Sequence, residues 1–327
     1  MTQRLKIIDR LLAAINQSER ICVVGHVRPD GDCVGSQLAL AFALKNEGKN
    51  VRCWNDDPLP QKLAFLDSER VLRPSAPGQE FDCVVAVDAA SYERIGRTGL
   101  RIAKRKVLIN IDHHQSNTRY GDMNWVSSKS PSTGELVYRL LKAASWPITA
   151  PIADCLFTAI STDTGSFQYA TTQPNTYCIA AELVKKGANL GRICEEVYQS
   201  YPLSRVRLLQ HVFNKFRLTQ ENQIGYFWLK PGDFTRTGCT ASDSEGLIDH
   251  IRAIEPVVVA CLFEQVDDTI VRISLRSKDA RVDVNQIAKQ FGGGGHSAAA
   301  GAKITGTPLS IQRRVISAIK KSLLANS

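Results

Sequence analysis

His26, Asp30 and Asp32 fall within seven residues of one another in the run Gly25-His26-Val27-Arg28-Pro29-Asp30-Gly31-Asp32. One imidazole and two carboxylates at that density repel one another unless positive charge sits among them, and a divalent cation is the obvious candidate. The pairing recurs downstream. Asp88 closes the apolar run DCVVAV, Asp112-His113-His114 closes KVLINI, and Asp163 follows the apolar stretch that ends at Ile160. Mixed imidazole and carboxylate donors suit Mn2+, Mg2+, Zn2+ or Fe2+. With oxygen donors in the majority Mn2+ is the expected ion, Mg2+ or Co2+ being the alternatives. The donors are too many for one ion. Two metals about 3.5–4 Å apart, bridged by a carboxylate, fit the number and suit phosphoester hydrolysis by acidifying a shared water. Any one Asp serves equally well as a helix cap or a turn residue. The set does not reduce to that, because two adjacent histidines at a strand end have no capping role.

Positioning these groups requires strands that end at one edge. Ile21–Val24 is a short β-branched run that reads as a buried strand, and Val34–Glu47 reads as a helix stopped by Gly48. Pro29 and Gly31 are expected to keep all three polar groups of the opening motif on a tight loop. Strands are further expected at Val51–Trp54, Asp82–Val87 and Lys106–Ile111, with helices at Ser132–Ala144, Pro151–Ile160, Pro174–Lys186, Leu190–Gln199 and Leu203–Leu218. Strand, ligand-bearing loop, helix is the arrangement in which a parallel α/β sheet gathers distant residues at its carboxyl edge. Residues 94–106 hold six cations and no acid, which reads as a solvated helix face, with a phosphate-facing patch as the alternative.

Beyond residue 223 the texture changes to IGYFWL, a helix near Ser244–Ile254, VVVACLF, IVRISLRS, a helix at Val282–Phe291 and a last one at Ile311–Leu324. Between these lies Gly292-Gly293-Gly294-Gly295-His296. Four glycines cannot hold a helix, and amides without side chains can approach a phosphate closely. His296 is placed to bond a phosphate or stack on a base, and Arg276, followed by Ser277 at the end of IVRISLRS, to pair with a phosphate. His211 and His250 match no pattern and read as structural.

Composition sets the frame. The 327 residues allow two domains, and 43% hydrophobic with 22% charged residues is ordinary for a globular protein. A net charge of +9 leans toward anionic partners. Nine cysteines without a C-x-x-C pair point to reduced thiols in a cytoplasmic protein, several of them (Cys22, Cys83, Cys155, Cys261) core residues. The N-terminal stretch reads as an amphipathic helix with Leu5, Ile8, Leu12 and Ile15 on one face, not as a leader or a membrane span.

HVRPDGD, the Asp of VAVDAAS, DHH and the Asp of STDTG resemble, in order and rough spacing, the four motifs of the DHH phosphoesterase family. SLRS followed by GGGGHSAAAG is similar to that family's associated substrate-binding domain, so the resemblance spans residues 26 to 301. Within the family the chain looks most like the stand-alone nanoRNase/pAp phosphatases. The resemblance implies an α/β fold: a parallel-sheet catalytic domain (1–195), a helical connector (196–215) and a smaller α/β substrate-binding domain (216–327). It implies that His26 and Asp30 hold one metal, that Asp32, His113 and Asp163 hold the second, and that Asp88 bridges them. It places His114 at the scissile phosphate or leaving group and Asp112 behind the imidazoles, while Arg276, Ser277, Gly293, Gly294, Gly295 and His296 bind substrate. Implied substrates are short single-stranded RNA or DNA and 3′-phosphoadenosine 5′-phosphate (pAp), handled in the cytoplasm away from membranes by a possible homodimer. The same site would serve cyclic di-AMP or linear dinucleotides such as pApA and pGpG. An inorganic pyrophosphatase has no need of the GGGGH domain, and a non-catalytic nucleotide binder is at odds with a complete donor set.

Overall fold

The computed structural model describes residues 2–325, and their contacts divide into two units between Ser200 and Tyr201. The first contains α1 (Thr2–Asn16), β1 (Arg20–Val24), α2 (Gly31–Asn46), β2 (Asn50–Trp54), β3 (Leu72–Arg73), β4 (Phe81–Val87) and α3 (Thr98–Arg101). It continues with β5 (Arg105–Asp112), β6 (Met123–Val126), α4 (Thr133–Ala143), α5 (Ala150–Asp163), α6 (Pro174–Lys185) and α7 (Leu190–Cys194), the last running into a single π-helical turn at Glu195–Gln199. Six strands pair in the order β3-β2-β1-β4-β5-β6, all parallel.

Alternation along the strands explains the layers. Ile21, Val23, Cys83, Val85 and Val87 face a core shared with α1, α2, α4 and α5. Cys22, Val24, Val84 and Ala86 face a smaller core with Trp54, Phe81, Ile95, Ile102 and Leu108. Successive side chains point to opposite faces and both faces are covered, so these strands read as continuous apolar runs rather than alternating ones. In α1 the buried stripe is Ile8, Leu11 and Ile15, with Leu12 half-buried beside it. The side chain of Leu5, expected on that face, lies outside the described residues. The cationic stretch 94–106 is not a helix face: a 3-10 turn at Tyr92–Ile95 and the four-residue α3 lead straight into β5. Its charges find acids from elsewhere, Arg97 at Asp56, Lys104 at Glu80 and Lys106 at Asp82.

The second unit comprises α8 (Leu203–Lys215), β7 (Arg217–Thr219), β8 (Ile224–Leu229), α9 (Pro231–Thr237), α10 (Leu247–Arg252), β9 (Val259–Gln265) and β10 (Ile270–Ser277). It closes with α11 (Val284–Lys289), β11 (Gly294–Gly295), β12 (Ala299–Thr305) and α12 (Pro308–Leu324). Its mixed sheet runs β11-β12-β10-β9-β8-β7. Val259, Cys261 and Phe263 face α11 and α12, while Ala260 and Leu262 face α8 and α10. The helices expected as a connector belong to the cores of the units: Ile193 and Val197 pack in the first, Leu208 and Val212 in the second. The helix expected through Leu218 stops at Lys215, because Arg217–Thr219 pairs with β8 as an edge strand. Among the described residues no helix is long and apolar enough to cross a membrane.

Candidate metal centre

In the strand order β3-β2-β1-β4-β5-β6 the connections reverse direction between β1 and β4, the place where open α/β sheets gather ligand-binding residues beyond their carboxyl ends. His26 follows β1, Asp88 follows β4, and Asp112-His113-His114 ends β5. Asp163 closes α5, which packs against α2. The backbone at Asp88 turns into the left-handed region, φ 57, as its N–H completes the ladder to the Ile111 carbonyl at 3.0 Å. A side chain held in that region stores strain that the surroundings must hold in place, a common property of functional positions.

The opening motif departs from the loop expected for it. Asp30 is the N-cap of α2, accepting the Cys33 amide at 3.0 Å, and the helix starts at Gly31. Asp32 is therefore a first-turn helical residue. Pro29 and Gly31 break the chain only ahead of the first helical turn, where neither a missing donor nor a missing side chain costs much. Both Asp32 oxygens take amides from the start of α4, Thr133 at 2.6 Å and Gly134 at 2.8 Å, and the Thr133 hydroxyl donates to Asp88 at 3.0 Å. Sequence reading misses these donors. The Ser-Thr-Gly that opens α4, with Ser132 capping the Glu135 amide, is the signal that could have found them.

Asp88 lies between two imidazoles, with Oδ2 3.3 Å from His26 Nε2 and Oδ1 3.5 Å from His113 Nε2. His26 Nε2 is also 3.7 Å from Asp30, while His113 Nε2 is 3.1 Å from Asp163 and 3.7 Å from Asp32. Both rings turn the other nitrogen toward a backbone carbonyl, His26 Nδ1 to Val27 at 2.8 Å and His113 Nδ1 to Ser130 at 3.3 Å. At His113 that orientation suits Nδ1–H donating to the carbonyl and leaves the Nε2 lone pair for a cation, while at His26 the donor-only Arg94 guanidinium competes with it for Nδ1. His114 is turned the opposite way, Nδ1 toward Asp112 at 2.8 Å, its side chain 23% exposed. Fully buried Asp112 also accepts from Asn117 at 2.5 Å and from the His113 amide at 2.9 Å.

Electrostatics follow from crowding. Burial, reinforced by neighbouring carboxylates, holds the Asp32 carboxyl well above the usual range, and burial likewise raises Asp88. Burial works against ionised Asp30 and Asp112 too, but His26 at the first and His114 at the second outweigh it and pull both down. His114 is pushed up to about 9: burial opposes its charge, and Asp112, Asp88 and Asp163 prevail. Carboxylates that can be neutralised only by taking up protons, facing Nε2 lone pairs, form the donor set of a divalent-metal centre. Among the described residues of the first unit, donor atoms come within 4.8 Å of one another in three groups, His26 with Cys33 and Asp88, Asp32 with His113 and Asp163, and Asp88 with Asp112 and His114. Nothing in the spacing of the sequence singles out Cys33. Arg94, one of the six cations expected on a solvated face, instead brings its guanidinium 3.1 Å from His26 Nδ1. Arg28, also at positive φ, donates its amide to Asp57 at 2.6 Å on the exposed rim.

In the second unit Arg276 pairs across strands with Ala299, and Ala299 exchanges backbone hydrogen bonds with His296, so Arg276 and His296 share one end of the sheet. The Gly292 and Gly293 amides are already taken. Gly292 donates to Lys289, Gly293 to Ala288 and His296 to Ala299. Packing demands glycine at position 293, since a β-carbon there would collide with the Gly301 carbonyl and come 2.5 Å from Ala302 Cβ. The Gly294–Gly295 stretch is a short strand lying against Gly301–Ala300 of β12. Ser277 is buried and its hydroxyl donates to the Asp279 carbonyl at 2.9 Å, which closes a turn rather than facing outward. His211 lies 3.2 Å from Asp233, and His250 meets the Phe213 ring edge-on.

Comparison with known proteins agrees with this layout. A family description, "DHH family, N-terminal domain", matches residues 20–160, and a second, "DHHA1 domain", matches residues 223–323. The bifunctional oligoribonuclease and PAP phosphatase NrnA of Thermus thermophilus is 31% identical over 98% of this chain and 95% of its own length. The protein of the same name in Bacillus subtilis is 29% identical over 90% and 92%. Among solved structures, an exopolyphosphatase-related protein from Bacteroides fragilis superposes with a TM-score of 0.87 at 27% identity over 98% of both chains.

Proposed function

The chain belongs to the DHH family, with a C-terminal DHHA1 domain, and we propose that it is a metal-dependent phosphoesterase that hydrolyses short oligoribonucleotides and pAp to mononucleotides. The observation that carries the reading is Asp88, whose two oxygens each face a different imidazole. That places one carboxylate between two donor groups. His26, Asp30 and Asp88 would hold one divalent ion, and Asp32, His113, Asp163 and Asp88 a second, Mn2+ being the ion that oxygen-rich donors with two imidazoles favour. When bound, the ions supply acidity to an attacking water and offset charge on the phosphoryl oxygens.

The chain's own groups do the rest. Asp112 accepts from His114 Nδ1–H and favours the protonated ring, from which Nε2–H can donate to a phosphoryl or leaving oxygen. The amides of Thr133 and Gly134 fix the Asp32 carboxylate, and the Thr133 hydroxyl fixes Asp88, so neither must reorganise during reaction. In the second unit Arg276 and His296 would recognise the nucleotide. Curated relatives matching nearly end to end, named for oligoribonuclease and PAP phosphatase activity, support this substrate class. The test is hydrolysis of pApA, pAp and cyclic di-AMP with Mn2+ by the wild type and by Asp88→Asn. Loss of all measured activity in the variant is expected, with pApA and pAp the better substrates of the wild type. Full activity in Asp88→Asn would sink the two-ion reading, and preference for cyclic di-AMP the substrate reading.

A further inference from the structure

The donor groups on the two sides of Asp88 are not chemically alike. Opposite His113 they are oxygens, Asp32 and Asp163. On the His26 side a sulfur is present: Cys33 Sγ lies within 4.8 Å of both the His26 ring and the Asp88 carboxylate, and all three residues are buried. Two further features place the thiol there. The His26 amide donates to Sγ at 3.3 Å, and residue 25 is glycine, where a β-carbon would collide with Sγ and come 2.7 Å from Gln37 Oε1. The first turn of α2, begun by the Asp30 cap, sets position 33 against Gly25 and His26, just past the end of β1. Other buried cysteines, such as Cys22 and Cys83, sit among apolar strand residues.

We propose that His26, Cys33 and Asp88 form a sulfur-containing subsite that gives this chain affinity for soft divalent cations, Zn2+ or Cd2+, on one side of the centre only. The inference rests on the two-ion reading above. It adds that the two positions differ in softness, so a thiophilic ion enters the His26 side while the Asp32–His113–Asp163 side keeps an oxygen-preferring ion. On binding, the Cys33 S–H bond breaks and a sulfur–metal bond forms; the electron pair stays on sulfur and the proton leaves to solvent. Thiol sulfur is a soft donor, so an oxygen-preferring ion gains little from it.

The experiment uses the full chain freed of metal with chelator and titrated with Cd2+. Exposed Cys178 and half-exposed Cys194 are first changed to serine, because they would bind cadmium adventitiously. The thiolate-to-cadmium charge-transfer band should rise to one equivalent and vanish in Cys33→Ser, with Cd2+ affinity at least about 10–100-fold weaker. The cadmium-113 NMR resonance of the parent should lie at a thiolate-ligated position, a measurement that needs no Cys33 variant and stands if that variant fails to fold. A band unchanged in Cys33→Ser, or a resonance typical of nitrogen and oxygen ligands alone, overturns the inference. Mn2+-dependent hydrolysis of pAp by the same preparation separates the two failures. Activity with no sulfur–cadmium signal removes only the soft subsite, whereas no activity removes the reading beneath it.

Discussion

Gly35 offers a sharp test of what sets the spacing of the metal donors. It lies one turn below Asp32 in α2, against α5, and its neighbour Ala159 lies one turn before Asp163. A β-carbon at position 35 would stand 2.9 Å from Ala159 Cβ and collide with the Cys155 carbonyl. Carbon atoms rest about 3.5–4.0 Å apart, so Gly35→Ala must drive the helices apart by roughly 0.6–1 Å. Overpacking of this kind costs about 1–3 kcal/mol. The same displacement separates Asp32 from Asp163, which share His113, and an error near 1 Å at a reacting centre is worth about 100-fold in rate. Urea unfolding at fixed pH measures the first effect and initial rates on pApA with saturating Mn2+ the second. Gly48→Ala is the control: φ there is 77 and nothing lies within 4 Å of the point a methyl would occupy, so about 1–2 kcal/mol of backbone strain is expected with no change in rate. If Gly35→Ala unfolds at the parent's urea midpoint and cleaves at the parent's rate, the glycine contact does not hold the donors in register.

Asp112→Asn removes the carboxylate that holds His114. In the metal-free protein the His114 resonance should titrate well below its position of about 9, and stability should lose its matching pH dependence. A raised histidine contributes fully below its unfolded value of about 6.5 and loses that contribution as pH rises through about 9. Asp82 shows the opposite sign: the Arg20 and Glu19 amides and Lys106 hold its carboxyl down to about 2. Its contribution is present above the unfolded value of about 3.9 and lost as pH falls toward about 2, and acid titration of Asp82→Asn should lack that segment. Ser166 follows Gly165 and precedes Phe167 in a run of three left-handed residues. Ser166→Gly should stabilise by up to about 1 kcal/mol in thermal unfolding, with the entropy of the more flexible unfolded chain offsetting part of the relieved strain.

Most of the proposed metal donors stand out in the sequence because they lie just past an apolar run, and a parallel sheet brings such ends to one edge without any further information. Position 32 is harder. Whether Gly31 ends a loop or begins a helix depends on Asp30 capping the Cys33 amide, a contact that spacing alone does not declare. Cys33 looks like one more apolar-run cysteine, and only the collision awaiting any side chain at residue 25 shows where its sulfur points. Strands β6 and β12 escape sequence reading for a related reason. Met123–Val126 is a short edge strand with three half-buried residues, and Ala299–Thr305 is made largely of alanine and glycine, poor strand formers whose conformation is decided by pairing with β10 and the glycine strand. The same pairing rules out four open glycine amides. Thr133 and Gly134 are invisible because they reach Asp32 across about a hundred residues of chain.

The wide separation of the donors along the chain has a consequence during synthesis. His26 emerges early, but the centre lacks its last carboxylate until Asp163 has been made, 137 residues later. At about 5–20 residues per second that is a delay of roughly 7–27 s. Throughout it the nascent chain carries fragments of a donor set, none of them complete. Parallel strands joined by long crossovers cannot assemble the edge piecemeal. Hydrolytic competence is thus deferred until the β1, β4 and β5 ends and α5 have all docked.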